Sequence, residues 1–142
     1  MAMRSFFIVG LIPLAAGIGQ AFAICPGVPN LTTTQIANLV PGNYTCVGAF
    51  PSATWNELLS GSAGSTSGTV TDFKLGPTSP TDPTQQVGTY AISGVDFGVL
   101  TYDYSGGGGS FSYTIAGTTS PYTFCPTGGG AVLTVNVQPA HC

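Results

Sequence analysis

Residues 87–115 read VGTYAISGVDFGVLTYDYSGGGGSFSYTI, and the reading of this stretch decides the fold. Val87 to Ser93, Gly98 to Ser105 and Ser110 to Ile115 alternate apolar and polar residues. Tyr90 and Ile92 alternate with Thr89 and Ala91. Leu100, Tyr102 and Tyr104 alternate with Thr101 and Asp103, and Phe111, Tyr113 and Ile115 with Ser112 and Thr114. Successive side chains of a strand point to opposite faces, so each run offers one face to a core and one to water. Gly94 to Phe97 and the glycine run Gly106 to Gly109 interrupt the alternation, and the stretch reads as three consecutive antiparallel strands.

The same pattern extends outward in both directions. Asn43 to Ala49 reads as a strand with Tyr44 and Cys46 on one side and Thr45 and Val47 on the other. In Ala53 to Leu59, Trp55, Leu58 and Leu59 fit one face of a short helix, but the neighbouring pattern favours a strand. Ser60 to Ser67 is a flexible Gly/Ser connection. Gly68 to Leu75 is a further strand, and Gly76 to Pro83, with three prolines, is a loop that cannot donate to a ladder at those positions. Beyond the central stretch, Pro121 to Cys125 carries Tyr122 and Phe124. Gly128 to Gly130 turns the chain, and Ala131 to Val137 presents Leu133, Val135 and Val137 on one face.

Eight short strands with mostly short links predict an all-β, antiparallel up-and-down meander, closed as a small eight-stranded barrel. The even count matters, because the last strand then runs antiparallel to the first and can remove both sheet edges. Ahead of the β domain (residues 42–142), residues 24–41 form an N-terminal arm. In it Thr32 to Leu39 suits a short helix with a threonine cap and Ile36 and Leu39 turned to the core.

Residues 1–23 read as an export signal. Arg4 precedes an apolar run from Phe6 to Ile18, which is too short to span a bilayer, and Ala21-Phe22-Ala23 is a small-x-small cleavage site. The expectation is a secreted or periplasmic protein with no transmembrane segment once the signal is cleaved. The 119 residues that follow suffice for one modest domain. They keep one cation, Lys74, against five carboxylates, a formal charge of −4. That balance excludes the clustered Lys and Arg of a nucleic-acid footprint and of a polybasic membrane contact.

All four cysteines (Cys25, Cys46, Cys125 and Cys142) follow the cleavage site, and an even count in an exported domain predicts two disulfides. No Cys-x-x-Cys spacing suggests redox or zinc chemistry. Arm and tail share a barrel end, which favours Cys25 with Cys142 and leaves Cys46 to pair with Cys125, two strands apart.

The parts of an active site are missing from the pattern. His141 is the only histidine and lies in the tail. Glu57 is the only glutamate, and nothing in the spacing joins it to Asp82, Asp96 or Asp103 as an acid–base pair. Asp72 and Lys74 share one side of a strand and suit an exposed ion pair. Gly106 to Gly109 lacks the Lys-Ser/Thr of a phosphate loop and reads as a hairpin turn. A non-enzymatic protein without a cofactor is expected. The aromatic set is the candidate for binding: Trp55, Phe73, Tyr90, Tyr102, Tyr104, Phe111, Tyr113, Tyr122 and Phe124 can line the interior, where Tyr90, Tyr102, Tyr104 and Tyr113 offer hydroxyls to a small apolar or aromatic ligand, or can simply fill the core.

Residues 39–46 (LVPGNYTC), Trp55, 72–77 (DFKLGP), 82–90 (DPTQQVGTY), 100–104 (LTYDY) and 122–125 (YTFC) resemble a group of small, uncharacterised exported bacterial proteins. The resemblance spans most of the chain after the signal and implies export. Gly42-Asn43-Tyr44 is also similar to the Gly-x-Trp opening of lipocalin-like barrels, with tyrosine in place of tryptophan. The resemblance implies no function; the aromatic set, the low charge and the Gly, Ser and Thr content leave two expectations, an exported barrel that binds a small ligand or, alternatively, a structural subunit of an extracellular assembly such as a filament, whose partners are copies of itself joined through a detachable arm.

Overall fold

The computed structural model describes residues 24–48, 55–73 and 84–142. The export signal, Lys74 and Asp82 lie outside the described residues. The described chain runs as one helix, α1 (Thr33–Leu39), and eight strands: β1 (Tyr44–Val47), β2 (Trp55–Leu59), β3 (Ser67–Asp72), β4 (Gln85–Ser93), β5 (Val99–Tyr104), β6 (Gly109–Ala116), β7 (Tyr122–Pro126) and β8 (Leu133–Gln138). Each strand pairs antiparallel with its neighbour in sequence. β8 pairs with β1 through Tyr44↔Gln138, Thr45↔Val137 and Cys46↔Asn136, which closes the barrel. The eight strands expected from alternation are all present, and the ambiguous segment before Leu59 is a strand.

Register shows which face is inside. Tyr90↔Tyr102, Ile92↔Leu100, Leu100↔Tyr113 and Ile115↔Phe124 are directly opposed, and these side chains form the core with Leu59, Val70 and Val135. The outer face of the central strands instead carries Thr89, Ala91, Thr101, Asp103, Ser110 and Ser112. That is apolar within and polar without, the reverse of a barrel that meets lipid. Asp103 and Asp96 are exposed, and Gly106 takes φ 67° in the single 3₁₀ turn that joins β5 to β6. The glycine run is thus a turn, as expected.

Helix α1 begins with a capping box. The Gln35 N–H donates to Thr32 Oγ1 (3.2 Å), and the Thr32 N–H donates to Gln35 Oε1 (2.8 Å), so two of the helix's first donors are satisfied. The helix docks over one end of the barrel. Gly64 N–H donates to the Ala37 carbonyl (2.8 Å), Gly98 N–H to the Leu31 carbonyl (2.8 Å), and the Thr33 hydroxyl to the Gly94 carbonyl (2.9 Å). Ile36 and Val40 are fully buried there, whereas Leu39 is only half-buried. Gly98 permits this close approach: a Cβ at that position would stand 2.5 Å from Ile36 Cδ1 and 2.9 Å from the Thr33 nitrogen.

Both disulfides exist, with a different pairing from the one expected. Cys25 bonds Cys125 (Cα–Cα 5.4 Å) and Cys46 bonds Cys142 (Cα–Cα 5.7 Å). The expected Cys46–Cys125 bridge fails on distance. β8 lies between β1 and β7, so these cysteines are two strand spacings apart, about 10 Å, beyond the roughly 7 Å Cα limit of a disulfide. The arm instead bridges to β6 at Asn30↔Ala116 and reaches the outer face of β7, while the tail turns back over β1 and β2, where Cys142 N–H meets Asn56 Oδ1 (3.4 Å). The arm is therefore stapled to the barrel rather than detachable, and the closed sheet offers no edge among its named strands for strand addition.

Candidate binding site at the barrel end away from α1

The site begins with the alternation in Trp55-Asn56-Glu57-Leu58-Leu59. Leu59 belongs to the core, so Trp55 and Glu57 point inward as well, while Asn56 and Leu58 point outward. Glu57 stands between Thr45 of β1 and Asp72 of β3 in the cross-strand register. Its side chain is 4% exposed. Trp55 opens β2, Asp72 closes β3 and Tyr104 closes β5, and antiparallel order brings these positions to the barrel end opposite α1.

Two oxygens of one carboxyl have different surroundings. The Tyr104 hydroxyl donates to Glu57 Oε1 at 2.6 Å. Glu57 Oε2 is buried without a hydrogen-bond partner, and so is the indole Nε1 of Trp55. A buried polar atom left unpaired costs about 1–3 kcal/mol, and the Trp55 indole stands near enough to act on the Glu57 carboxyl as a donor, so the two groups offset part of that cost for each other. Burial raises the Glu57 pKa to about 7, and Asp72 adds to the rise; the Tyr104 hydroxyl and the nearby Trp55 indole oppose it. The tyrosines respond in kind. Burial, followed by the negative charge of Glu57, pushes the Tyr102, Tyr104 and Tyr113 hydroxyls upward.

Aromatic rings wall this carboxyl. Trp55 meets Tyr102 edge-on at 5.3 Å between centroids and Tyr113 at 6.0 Å, while Tyr102 and Tyr104 are parallel at 6.0 Å. Phe111 packs on Tyr104 at 5.9 Å and Phe124 on Tyr113 at 5.9 Å. A recess of about 240 Å³ beside β6 and β7, lined among others by Phe111, Ser112, Tyr113, Pro126 and Gly128, borders the cluster at Phe111 and Tyr113 and does not include Glu57 or Trp55.

All four tyrosines expected to line the interior do face inward, but their hydroxyls are mostly engaged. Tyr102 donates to Thr45 Oγ1 (3.5 Å) and Tyr104 to Glu57. Tyr90 donates to the Ser60 carbonyl (2.6 Å) toward the α1 end, so it shares the core without joining the carboxyl. Gly68 makes room for that ring, since a Cβ there would stand 2.7 Å from it. Glu57 and Asp72 are the members of the site that the sequence reading left out, whereas Trp55 stood among the aromatic residues expected inside. The signal was present: a glutamate two residues from both a tryptophan and a core leucine, in strand register. Asp72, expected in an exposed pair with Lys74, is half-buried opposite Glu57.

His141 is exposed but not isolated. Its ring stacks on Tyr44 at 4.7 Å and meets Phe73 edge-on at 4.3 Å, on the outer face of the barrel. Among the described residues no three His, Cys, Asp or Glu side chains come together as metal ligands, and no helix is long and apolar enough to cross a membrane. No family model, curated protein or solved structure matches this chain.

Proposed function

We propose that the protein is a secreted or periplasmic, non-enzymatic barrel that binds a small, largely aromatic or apolar ligand at the end away from α1. The observation that carries this reading is the buried Glu57 carboxyl set among aromatic side chains at this barrel end, with a recess beside them at Phe111 and Tyr113. An apolar wall with a few convergent polar groups is the usual make-up of a small-molecule site. The two disulfides suit an oxidising compartment. Native mass spectrometry of the protein isolated from its source tests the reading. A bound small molecule in about equal stoichiometry supports it, and a chain that carries only its own mass counts against it.

A second reading, a subunit of an extracellular assembly, draws on the apolar side chains left outside: Ile24, Val28, Val95 and Val132 are all exposed. Self-association through those side chains would appear in gel filtration as a species larger than one chain, and monomers alone would count against it.

A further inference from the structure

Helix α1 buries Ile36, Ala37 and Val40 and turns Gln35, Asn38 and Leu39, at i, i+3 and i+4, to the other side. That side forms one wall of a cleft of about 560 Å³. The arm at Asn30 and Leu31 and the connection after β6 at Gly117 and Thr118 form the others, with Tyr122 of β7. The walls are fixed in place. The Cys25–Cys125 bridge ties the arm to β7, and the Leu31 N–H donates to the Ile115 carbonyl of β6 (2.7 Å). The half-exposure of Leu39, which faces this cleft rather than the core, is thereby accounted for.

The lining is polar without charge: no acid and no base borders the cleft. Asn30 is engaged in both directions by the Cys25 backbone (3.1 and 3.4 Å), and Gln35 Oε1 accepts from the Thr32 N–H. Gln35 Nε2, the Asn38 amide and the Thr118 hydroxyl stand on exposed side chains and are available to a ligand. An amide sets a donor beside an acceptor, and a hydroxyl is both, so the two match without ionisation. An ionic ligand would lack the opposite charge it needs here. The Tyr122 ring is half-buried, and Gly117 keeps its edge clear. Gly117 takes φ 123°, and a Cβ there would stand 3.3 Å from Tyr122 Cδ1. An apolar and aromatic surface with a few placed polar groups, in a cleft of about 300–1,000 Å³, is the make-up of a small-molecule site. We propose that this cleft binds a neutral saccharide, with the Tyr122 ring against the C–H face of a pyranose and the Asn38 and Gln35 amides bonded to its hydroxyls. It shares no residue with the site at the far end of the barrel, so the two readings stand or fall separately.

Proton–nitrogen correlation NMR of the disulfide-intact protein tests this with glucose, N-acetylglucosamine, maltose and diacetylchitobiose, and with glucuronate as the charged control. At least one neutral sugar is expected to move the Asn38 and Gln35 side-chain amide signals saturably, with a Kd on the order of 1 mM. Glucuronate is expected to bind no more tightly than glucose. Asn38 is exposed on α1 and alanine suits a helix, so Asn38→Ala should keep the wild-type urea midpoint while it weakens sugar binding about tenfold. A disaccharide that binds more tightly than its monosaccharide assigns the cleft to a glycan chain, and equal binding assigns it to a free sugar; both support the proposal. Cleft amide signals that stay in place with every neutral sugar would overturn it. So would tighter binding of glucuronate, or a folded Asn38→Ala protein that binds as wild type does.

Discussion

The Tyr104 hydroxyl donates a 2.6 Å hydrogen bond to Glu57 Oε1, joining β5 to β2 across the barrel interior. The strands are not neighbours, so this bond is a cross-brace of the far end as well as part of the candidate site. Its partner oxygen, Oε2, has no such support. The first prediction concerns this brace. Tyr104→Phe leaves Oε1 unpaired in a buried setting and is expected to cost about 1–3 kcal/mol at pH 8, where the carboxylate is charged. It is also expected to move the Glu57 pKa above 7, because the lost bond favoured the ionised form. Urea midpoints and a carboxyl titration followed by NMR check both parts; an unchanged pKa would contradict the brace.

Stability should fall as pH rises. Glu57 titrates near 7 in the native protein and near 4.5 when unfolded. Between those values the native state holds a proton that the unfolded chain has released. Its contribution is therefore fully present below pH 4.5 and lost as pH rises through 7, by about 3 kcal/mol on the alkaline side. Glu57→Gln should remove this fall and unfold later than wild type at pH 8. Urea unfolding at pH 5 and 8 decides it; an equal fall in both proteins would assign the slope elsewhere.

The arm and tail are held by bridges that close loops with separations of 100 and 96 residues. Breaking either one, as Cys25→Ser with Cys125→Ser or Cys46→Ser with Cys142→Ser, should cost about 2–5 kcal/mol. Peptide mapping without reduction should recover Cys25 with Cys125 and Cys46 with Cys142, and recovery of any other pair would contradict the strand order around β8.

Gly98 sets the distance between α1 and the barrel. Gly98→Ala forces a methyl against Ile36 and the Thr33 backbone, at a cost of about 1–3 kcal/mol. A matching loss in the urea midpoint, with faster hydrogen exchange in α1, is the expected outcome; a neutral substitution would show that the helix yields without cost.

Much of this architecture was legible in the sequence because a period of two carries both strand identity and facing. Residues 87–115 showed three strands with their inner faces assigned, and the even count of strands pointed to closure. The Thr32 cap and the turn at Gly106 to Gly109 were readable from local chemistry alone. The disulfide pairing was not, because it depends on which strand each terminal segment runs along, and both segments leave from the same end. Glu57 was obscured for a different reason. Trp55, Leu58 and Leu59 match a helical face as well as a strand, so the inward register of Glu57 was not drawn. Its company of Asp72 and Tyr104 comes from pairing across β3 and from contact across the interior, neither of which is encoded by local spacing.

Trp55 is the only tryptophan of the chain, and its indole packs beside Glu57 against Tyr102 and Tyr113, so its fluorescence reports on the proposed site directly. Titrating the disulfide-intact protein with a small aromatic probe such as 1-phenylethanol should change Trp55 emission saturably, while the unliganded spectrum shows a half-buried indole. An emission that stays constant across the titration in the folded wild-type protein would contradict the claim that this end of the barrel binds a small ligand.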